Sequence, residues 1–303
     1  MRGAAPTLKM PRPDDPFDTA FMRKLELLEL VYRRLCSGSG AGEAVGRGRG
    51  GRTEFREHRR YAAGDDFRYI DWNVFGRTDA LFVKEHAREE RRTVSVLLDC
   101  SRSMAFGRPS KLVCGKQLAA AFAYLALVAG DETVVMTFAE TIRKSVAVSG
   151  QKGRITEVLR ELRDVPPEGR TGLEDALREF HGNRGRRSLV VLISDLMGQD
   201  CRRSLSMLAA KGFEPCVIQL LCREEAVPKQ TGRLRLKDAE TGRTRSLWIE
   251  GAELREYELV VNEFIEGWRK FCAMHRMAFV AACSDVPVDE LVTGYLREGG
   301  LLR

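Results

Sequence analysis

From residue 94 onward, short apolar runs alternate with longer segments of helical periodicity. Two of these runs are VSVLL at 94–98 and LVVLI at 189–193. Strands without alternating polar residues are buried on both faces, and parallel strands need long, usually helical connections between them. The alternation therefore predicts an α/β fold, with a central, mostly parallel sheet and helices on both of its faces.

Six strands and six helices are predicted in this part of the chain. The strands lie at 94–98, 133–138, 144–148, 189–193, 214–221 and 277–282, and the helices at 110–129, 154–163, 172–181, 201–211, 252–274 and 286–297. The segment GRLRLKDAETGRTRSLWI has the alternation and central turn that are typical of a β-hairpin. We expect one domain over 94–303, with this hairpin inserted near 232–249.

The first 93 residues have a different character. Residues 1–16 are rich in proline and charge and are expected to be loose. From Phe17 to Leu35 the apolar residues recur at helical spacing, which predicts an amphipathic helix. A Gly/Arg-rich loop follows at 36–52, and the short alternating runs after it predict a small β-rich extension. The predicted division of the chain is 1–16, 17–93 and 94–303.

The Gly/Arg-rich loop contains Gly46-x-Gly48-x-x-Gly51, which formally matches a dinucleotide-binding fingerprint. No predicted strand precedes it and no helix follows, so the context argues against nucleotide binding. The net charge is +7, with 50 basic residues interspersed among 43 acidic ones. This mixture indicates a solvated surface that permits an acidic partner, rather than a nucleic-acid groove. Nucleic-acid binding through GRGRGGR at 46–52 remains an alternative function.

Cysteine usage and hydropathy bear on the compartment. The eight cysteines form no Cys-x-x-Cys pair and lie mostly in apolar contexts, which predicts buried free thiols and a reducing cytoplasm and argues against a cysteine zinc site. The longest apolar run, at 118–130, is shorter than the roughly 18–20 residues of a membrane span. The N-terminal residues lack the apolar core of a signal peptide. A cytoplasmic protein without a membrane segment is expected.

Polar side chains follow two of the predicted strands where each one ends. Asp99, Ser101 and Ser103 come after the strand at 94–98, and Asp195 comes after the strand at 189–193. Thr171 stands in a loop just before a predicted helix. Ligands of open α/β sheets bind outside the carboxyl ends of the strands. We therefore expect these five side chains to meet in one site.

Carboxylate and hydroxyl oxygens favour a hard divalent cation, Mg²⁺ or alternatively Mn²⁺ or Ca²⁺. If the aspartates bind through water, the ion keeps most of its charge and seeks a further carboxylate from a partner. Each motif also has a purely structural interpretation as a turn or a helix cap.

A hydrolase using the metal or Ser101 is a further alternative, but Ser101 lacks a Gly-x-Ser-x-Gly elbow and none of the four histidines lies at a strand end. The prediction is a non-enzymatic protein.

The constellation resembles the metal-ion-dependent adhesion site of the von Willebrand factor A domain. Asp99, Ser101 and Ser103 match its first motif, Thr171 its second and Asp195 its third. The segment EFREHRRYAAGDDFRYIDWNVFGRTDALFVKEHAREE is similar to the signature of a bacterial family, domain of unknown function family fifty-eight. LLDCSRSM, LKDAETGRTRSLWI and the closing GYLREGGLLR are also similar to that family. The resemblance covers residues 20 to 303.

The resemblance implies a Rossmann-like von Willebrand factor A fold with an N-terminal extension. By this resemblance Ser101 and Ser103 would bind Mg²⁺ directly, Thr171 would join them, and Asp99 and Asp195 would hold metal-bound waters. Proteins of the family are similar to partners of MoxR-type AAA+ ATPases. The implied function is a chaperone-like adaptor that works with such an ATPase, which must be another chain since no phosphate-binding loop is present.

Five further residues are predicted to take part in partner binding. Arg102 occupies a variable position of the first motif, where its charge favours an acidic client or lowers the metal affinity. The others are Asp65, Asp66, Asp71 and Trp72 of the extension. The three aspartates are predicted to pair with Arg60, Arg68 and Arg77. Such pairs would hold the extension together or form a docking surface for the ATPase.

Overall fold

The computed structural model describes residues 15–38, 54–62, 70–78, 80–87, 92–182, 188–198 and 200–297. The chain divides into two compact units, one formed by Met1–Gly42 with Arg92–Arg303 and the other by Glu43–Arg91. The strands are β1 Glu54–Arg60, β2 Phe82–Ala87, β3 Thr93–Asp99, β4 Glu132–Phe138, β5 Ile142–Val148, β6 Ser188–Ser194, β7 Glu214–Leu221, β8 Gly232–Lys237, β9 Thr244–Ile249 and β10 Ala278–Cys283. The helices are α1 Thr19–Gly38, α2 Trp72–Thr78, α3 Lys111–Ala129, α4 Ile155–Arg163, α5 Leu173–Gly182, α6 Arg202–Ala210, α7 Arg223–Ala226, α8 Gly251–Met274 and α9 Val288–Arg297.

The larger unit is built on a six-stranded sheet in the order β10-β7-β6-β3-β4-β5. Five strands run parallel, and β5 pairs with β4 in the antiparallel direction. The predicted α/β fold with a mainly parallel sheet is confirmed. The strands β3, β4, β6 and β7 are rich in apolar residues and are buried along almost their whole length, so both faces of the sheet centre are covered.

Helix α3 is a deeply buried helix of the core. It has 19 residues with a mean hydropathy of 1.7, so it has the length and composition of a membrane span, although the apolar run 118–130 alone is shorter. Of its most apolar 18-residue stretch, 78% is buried inside the protein. Gly115 permits the close approach to the sheet, because a Cβ there would lie 2.7 Å from the Leu98 side chain.

Helix α1 belongs to the larger unit. Its apolar stripe is buried and includes Phe21, Leu25, Leu28 and Tyr32, and it contacts helices α3 and α9. The predicted division, which grouped this helix with the β-rich extension as 17–93, differs from the structure. The reason is physical: an amphipathic helix is stabilised where its apolar face is covered, and the larger unit supplies that cover.

The smaller unit contains the predicted β-structure. Strands β1 and β2 pair in the antiparallel direction, and helix α2 lies between them in sequence. Asp71 begins α2 as its N-cap, with its carboxylate 3.3 Å from the Val74 N–H. Trp72 is 62% exposed and contacts the Phe75 ring edge-on.

The predicted insertion at 232–249 forms the antiparallel hairpin β8–β9. Most residues of both strands are exposed. An isolated two-stranded hairpin is marginally stable in water, so its position depends on contacts at its ends. Helix α8 follows it directly and contacts β9.

Candidate metal site

The predicted site lies where the sheet topology changes direction. From β3 the chain continues to β4 on one side, and from β6 it continues to β7 on the other. Asp99 is the last residue of β3 and Asp195 directly follows β6, and neither side chain is exposed. Adjacent parallel strands thus bring the two carboxylates to one crevice, which is the usual ligand position in open α/β sheets.

Three hydroxyl groups form a continuous row beside these carboxylates. Ser101 Oγ lies 3.0 Å from Ser103 Oγ and 3.0 Å from Thr171 Oγ1. These separations are longer than the usual O–H···O distance of about 2.7–2.8 Å. They match the spacing of neighbouring ligands around Mg²⁺, about 3.0 Å for bonds of about 2.1 Å in octahedral geometry. The structure therefore brings together the three hydroxyls predicted from sequence.

Backbone hydrogen bonds fix the two hydroxyl-bearing loops to each other. Glu168 N–H donates to the Cys100 carbonyl at 2.9 Å, and Arg102 N–H donates to the Gly169 carbonyl at 3.2 Å. Gly172 lets the Thr171 loop reach the end of β4, since a Cβ at that position would lie 2.2 Å from the Glu140 carbonyl oxygen. Thr171 is consequently held in place by backbone and is only 7% exposed.

The Asp99 carboxylate is surrounded by neutral donors. Its oxygens accept hydrogen bonds from the Ser101 N–H at 2.9 Å and the Ser194 hydroxyl at 2.7 Å. Burial, together with the nearby Asp195 charge, raises the pKa of Asp99 to about 6. Ser194 was missed in the sequence interpretation, although it stands beside Asp195 at the strand end.

Asp195 has a cationic partner that the sequence interpretation also missed. Lys111 Nζ donates to Asp195 at 2.8 Å and to Glu225 at 2.6 Å, and the lysine side chain is fully buried. Burial alone would lower the pKa of Lys111, but the two carboxylates outweigh it and raise that pKa. A lysine at the first position of a helix is unfavourable for the helix dipole, but this does not indicate which carboxylates pair with it.

The segment after β6 is strained. Leu196 has φ of 59°, a left-handed conformation that a branched residue rarely adopts. Its N–H donates to Ser194 Oγ at 3.0 Å, and the next N–H, of Met197, donates to Asp195 at 3.0 Å. The strain is thus retained by bonds that orient the Ser194 and Asp195 side chains.

A fourth carboxylate reaches the site from the hairpin. Glu240 Oε1 accepts hydrogen bonds from the Thr171 N–H at 3.2 Å and the Thr171 hydroxyl at 2.7 Å. A hydroxyl has one proton and an ionised carboxylate only accepts. Thr171 therefore donates to Glu240 and accepts from Ser101. Nothing in the sequence indicated that the hairpin tip reaches this end of the sheet.

Other predicted residues have different positions. Arg102 is exposed at the rim of the site. Asp71 and Trp72 lie in the smaller unit, whereas Asp65, Asp66 and Arg68 lie outside the described residues, as does the GRGRGGR loop. The pairing of the three aspartates with arginines therefore stays a prediction. All eight cysteines are free, and seven are buried, as predicted.

No group of three or more His, Cys, Asp or Glu side chains within the described ranges is arranged to hold a metal ion. The row of Ser101, Ser103 and Thr171 brings hydroxyl oxygens together beside the carboxylates of Asp99 and Asp195.

Relatives of known sequence match most of the chain. The uncharacterized protein Rv1480 of Mycobacterium tuberculosis is 29% identical over 246 residues, which cover 79% of this chain and 76% of the relative. The uncharacterized protein Mb1516 of Mycobacterium bovis matches with the same identity and coverage. These relatives carry no functional description.

Solved structures resemble the chain more weakly. The conserved hypothetical protein BatB of Bacteroides thetaiotaomicron is 14% identical with a TM-score of 0.40, covering 68% of this chain and 98% of that one. Proximal thread matrix protein 1 from the mussel byssus, with a zinc-occupied MIDAS motif, is 13% identical with a TM-score of 0.35, covering 68% of this chain and 46% of that one. Similarity at this level carries no argument about function.

The family assignment rests on a longer match. A model of the family "Protein of unknown function DUF58" matches residues 57–261, which is more than half of the 303 residues. This stretch contains the charged and aromatic block before β3, the whole candidate site and the hairpin. The chain belongs to this family of proteins of unknown function.

Proposed function

We propose that the protein is a non-enzymatic adaptor that binds an acidic partner through a divalent metal ion, Mg²⁺ in the first instance. The observation that carries this proposal is the hydroxyl row beside two buried carboxylates. Ser101, Ser103 and Thr171 would be the direct ligands, as in a metal-ion-dependent adhesion site of the von Willebrand factor A type. When bound, the ion would supply a strong attraction for a carboxylate from another molecule.

The donor set fits a hard cation. Hydroxyl oxygens keep lone pairs for a metal even while they donate their proton elsewhere. Both oxygens of Asp99 and of Asp195 already accept a hydrogen bond from the protein. Each has a lone pair left for a metal-bound water, which agrees with the indirect role expected for the aspartates.

The charge balance also supports a cation. Four carboxylates, those of Asp99, Asp195, Glu225 and Glu240, belong to the site, and one buried ammonium, Lys111, pairs with two of them, Asp195 and Glu225. Lys111 neutralises the Asp195–Glu225 side of the site but makes no hydrogen bond to Asp99 within the described residues. A dication would offset two of the three negative charges that remain.

The adaptor role and its partner follow from the family resemblance. We propose a MoxR-type AAA+ ATPase as the partner and an acidic segment of a client protein as the ligand. The eight free thiols fit a reducing compartment such as the cytoplasm. Arg102, exposed at the rim, would add an attraction for an acidic segment.

Calorimetric titration of Mg²⁺ and Mn²⁺ into chelator-stripped protein tests this proposal. Wild type is expected to bind one ion, and Ser101→Ala is expected to lose this binding. Ser145→Ala, which removes a hydroxyl at an exposed position of strand β5 away from the site, serves as the matched control. Equal binding by wild type and Ser101→Ala would contradict the proposal, as would no binding at millimolar concentrations.

A further inference from the structure

The tip of the β8–β9 hairpin is docked onto the candidate site by one side chain. Among residues 235–246 only Glu240 is partly buried, and all the others are exposed. Its two hydrogen bonds from Thr171 place a carboxylate at the open end of the hydroxyl row. This is where a carboxylate from a partner would approach.

The turn that carries Glu240 is preorganised. Asp238 Oδ1 accepts hydrogen bonds from the Glu240 N–H at 3.1 Å, the Thr241 N–H at 2.6 Å and the Thr241 hydroxyl at 2.7 Å. An aspartate that satisfies its own turn in this way holds the backbone in one conformation. Glu240 is thus presented to Thr171 with little conformational freedom to lose.

The charges at the tip complement those at the rim of the site. The pKa of Asp238 is lowered by the hydrogen bonds from Thr241, with a contribution from the nearby Arg170 charge. Arg170 directly precedes Thr171 in the same loop. The tip therefore meets the site with an acidic pair, Asp238 and Glu240, opposite an arginine and a hydroxyl.

The rest of the hairpin is weakly held. Eight of the twelve residues in its strands are exposed and the other four are only partly buried, and a hairpin with so little buried surface gains little from packing. Contacts at such an exposed tip have a lower free energy of opening than those of a buried core. The docked position is for this reason reversible.

We propose that Glu240 is an internal ligand of the site, which occupies the position of a partner's glutamate and must leave before that glutamate binds. This inference rests on the proposed function. It adds the ligand class, a glutamate presented on a tight polar turn such as Asp-Ala-Glu-Thr, and it adds a mode of regulation, competition between the chain's own hairpin and the partner.

Glu240→Gln separates this role from a merely structural one. The control is Glu256→Gln, which makes the same change on an exposed position of helix α8. The probes are Mn²⁺ alone and a labelled peptide with the sequence of residues 236–243, LKDAETGR, offered in Mg²⁺. A second peptide with glutamine in place of its glutamate tests the ligand class.

The expected effects of Glu240→Gln have opposite signs. Loss of an internal ligand weakens Mn²⁺ binding about tenfold, whereas loss of the competitor strengthens binding of the glutamate peptide about tenfold. The glutamine peptide should not bind, and a chelator should abolish binding of the glutamate peptide. Glu256→Gln should leave both affinities at the wild-type value.

Two results would overturn the inference while leaving the metal site intact. One is that Glu240→Gln behaves like Glu256→Gln although wild type binds Mn²⁺ and Ser101→Ala does not. The other is that both affinities change in the same direction, as expected if the substitution only disturbs the loop. Failure of wild type to bind Mn²⁺ would instead overturn the proposed function and this inference with it.

Discussion

Glu29 on helix α1 and Asp99 at the end of β3 are both buried carboxylates in the larger unit, but their surroundings are opposite. Glu29 accepts hydrogen bonds from Tyr124, from Lys152 at 2.9 Å and from Arg33 at 3.0 Å. Burial would raise the pKa of Glu29, but these partners outweigh it and lower that pKa. In the part of the chain that the structure describes, the hydrogen bonds to Asp99 come from neutral donors, and burial beside a second carboxylate raises its pKa to about 6.

The difference indicates what each carboxylate is for. The chain provides Glu29 with two cations of its own, so this group stabilises the contact of α1 with the larger unit. At the end of the sheet, the one buried cation, Lys111, is placed on Asp195 and Glu225 and leaves Asp99 to neutral donors among the described residues. A buried carboxylate without a cation is destabilising unless a cation comes from outside.

The largest predicted effect concerns the cation that the sheet end does have. Lys111→Met should lower the free energy of unfolding by about 3–5 kcal/mol, because it leaves two carboxylates without their buried partner. Chemical denaturation measures this loss. Lys144→Met is the matched control, since Lys144 is 56% exposed with a distant partner at 3.9 Å and should change stability by less than about 1 kcal/mol. A similar loss in both variants would contradict the stabilising role of Lys111 between Asp195 and Glu225.

Gly172→Ala should have the next largest effect. The new Cβ would overlap the Glu140 backbone, so the Thr171 loop must move, at a cost of about 2–3 kcal/mol. Gly153→Ala, where nothing lies within 4 Å, should be close to neutral. We expect Gly172→Ala also to weaken metal binding, since Thr171 moves with the loop. Wild-type stability and metal affinity in Gly172→Ala would show that the loop is not fixed as described.

Glu29→Gln tests the stabilising role of the carboxylate on helix α1. It should lower the free energy of unfolding by about 1.5–2 kcal/mol at neutral pH, because hydrogen bonds to a charged group are lost. The folded-state pKa of Glu29 lies below its ordinary value of 4.5, so this stabilisation is present above pH 4.5 and is lost as the pH falls through the folded-state pKa. Wild type and variant should thus converge in acid. Exposed Glu26→Gln is the control, and a difference that persists in acid would contradict the assignment.

Asp99→Asn should have the smallest effect and the opposite sign. Without metal, the variant should be more stable than wild type by about 1 kcal/mol at neutral pH, since an uncompensated buried charge is removed. Magnesium should then raise the melting temperature of wild type but not of the variant. A destabilised variant that still responds to Mg²⁺ would mean that Asp99 is an ordinary structural carboxylate.

Local patterns were sufficient for the six strands of the main sheet and for the expectation that five polar side chains meet at one of its edges, but not for the short helices α2 and α7. Apolar runs place β3 and β6, and polar residues directly after them fall at the same edge of the sheet, so Asp99, Ser101 and Asp195 were predictable. Lys111 and Glu240 were not, because each reaches its partners across more than sixty residues of chain. The amphipathic pattern of a helix shows which face is buried but not which unit covers that face. For this reason the predicted boundary at α1 was misplaced.

The central claim is that the hydroxyl row of Ser101, Ser103 and Thr171 is a metal site. Anomalous diffraction from a Mn²⁺-soaked crystal tests this claim directly. One strong manganese peak is expected within bonding distance, about 2 Å, of the hydroxyl oxygens of Ser101, Ser103 and Thr171. No peak there at saturating Mn²⁺, or a peak bound only by carboxylates elsewhere, would contradict it.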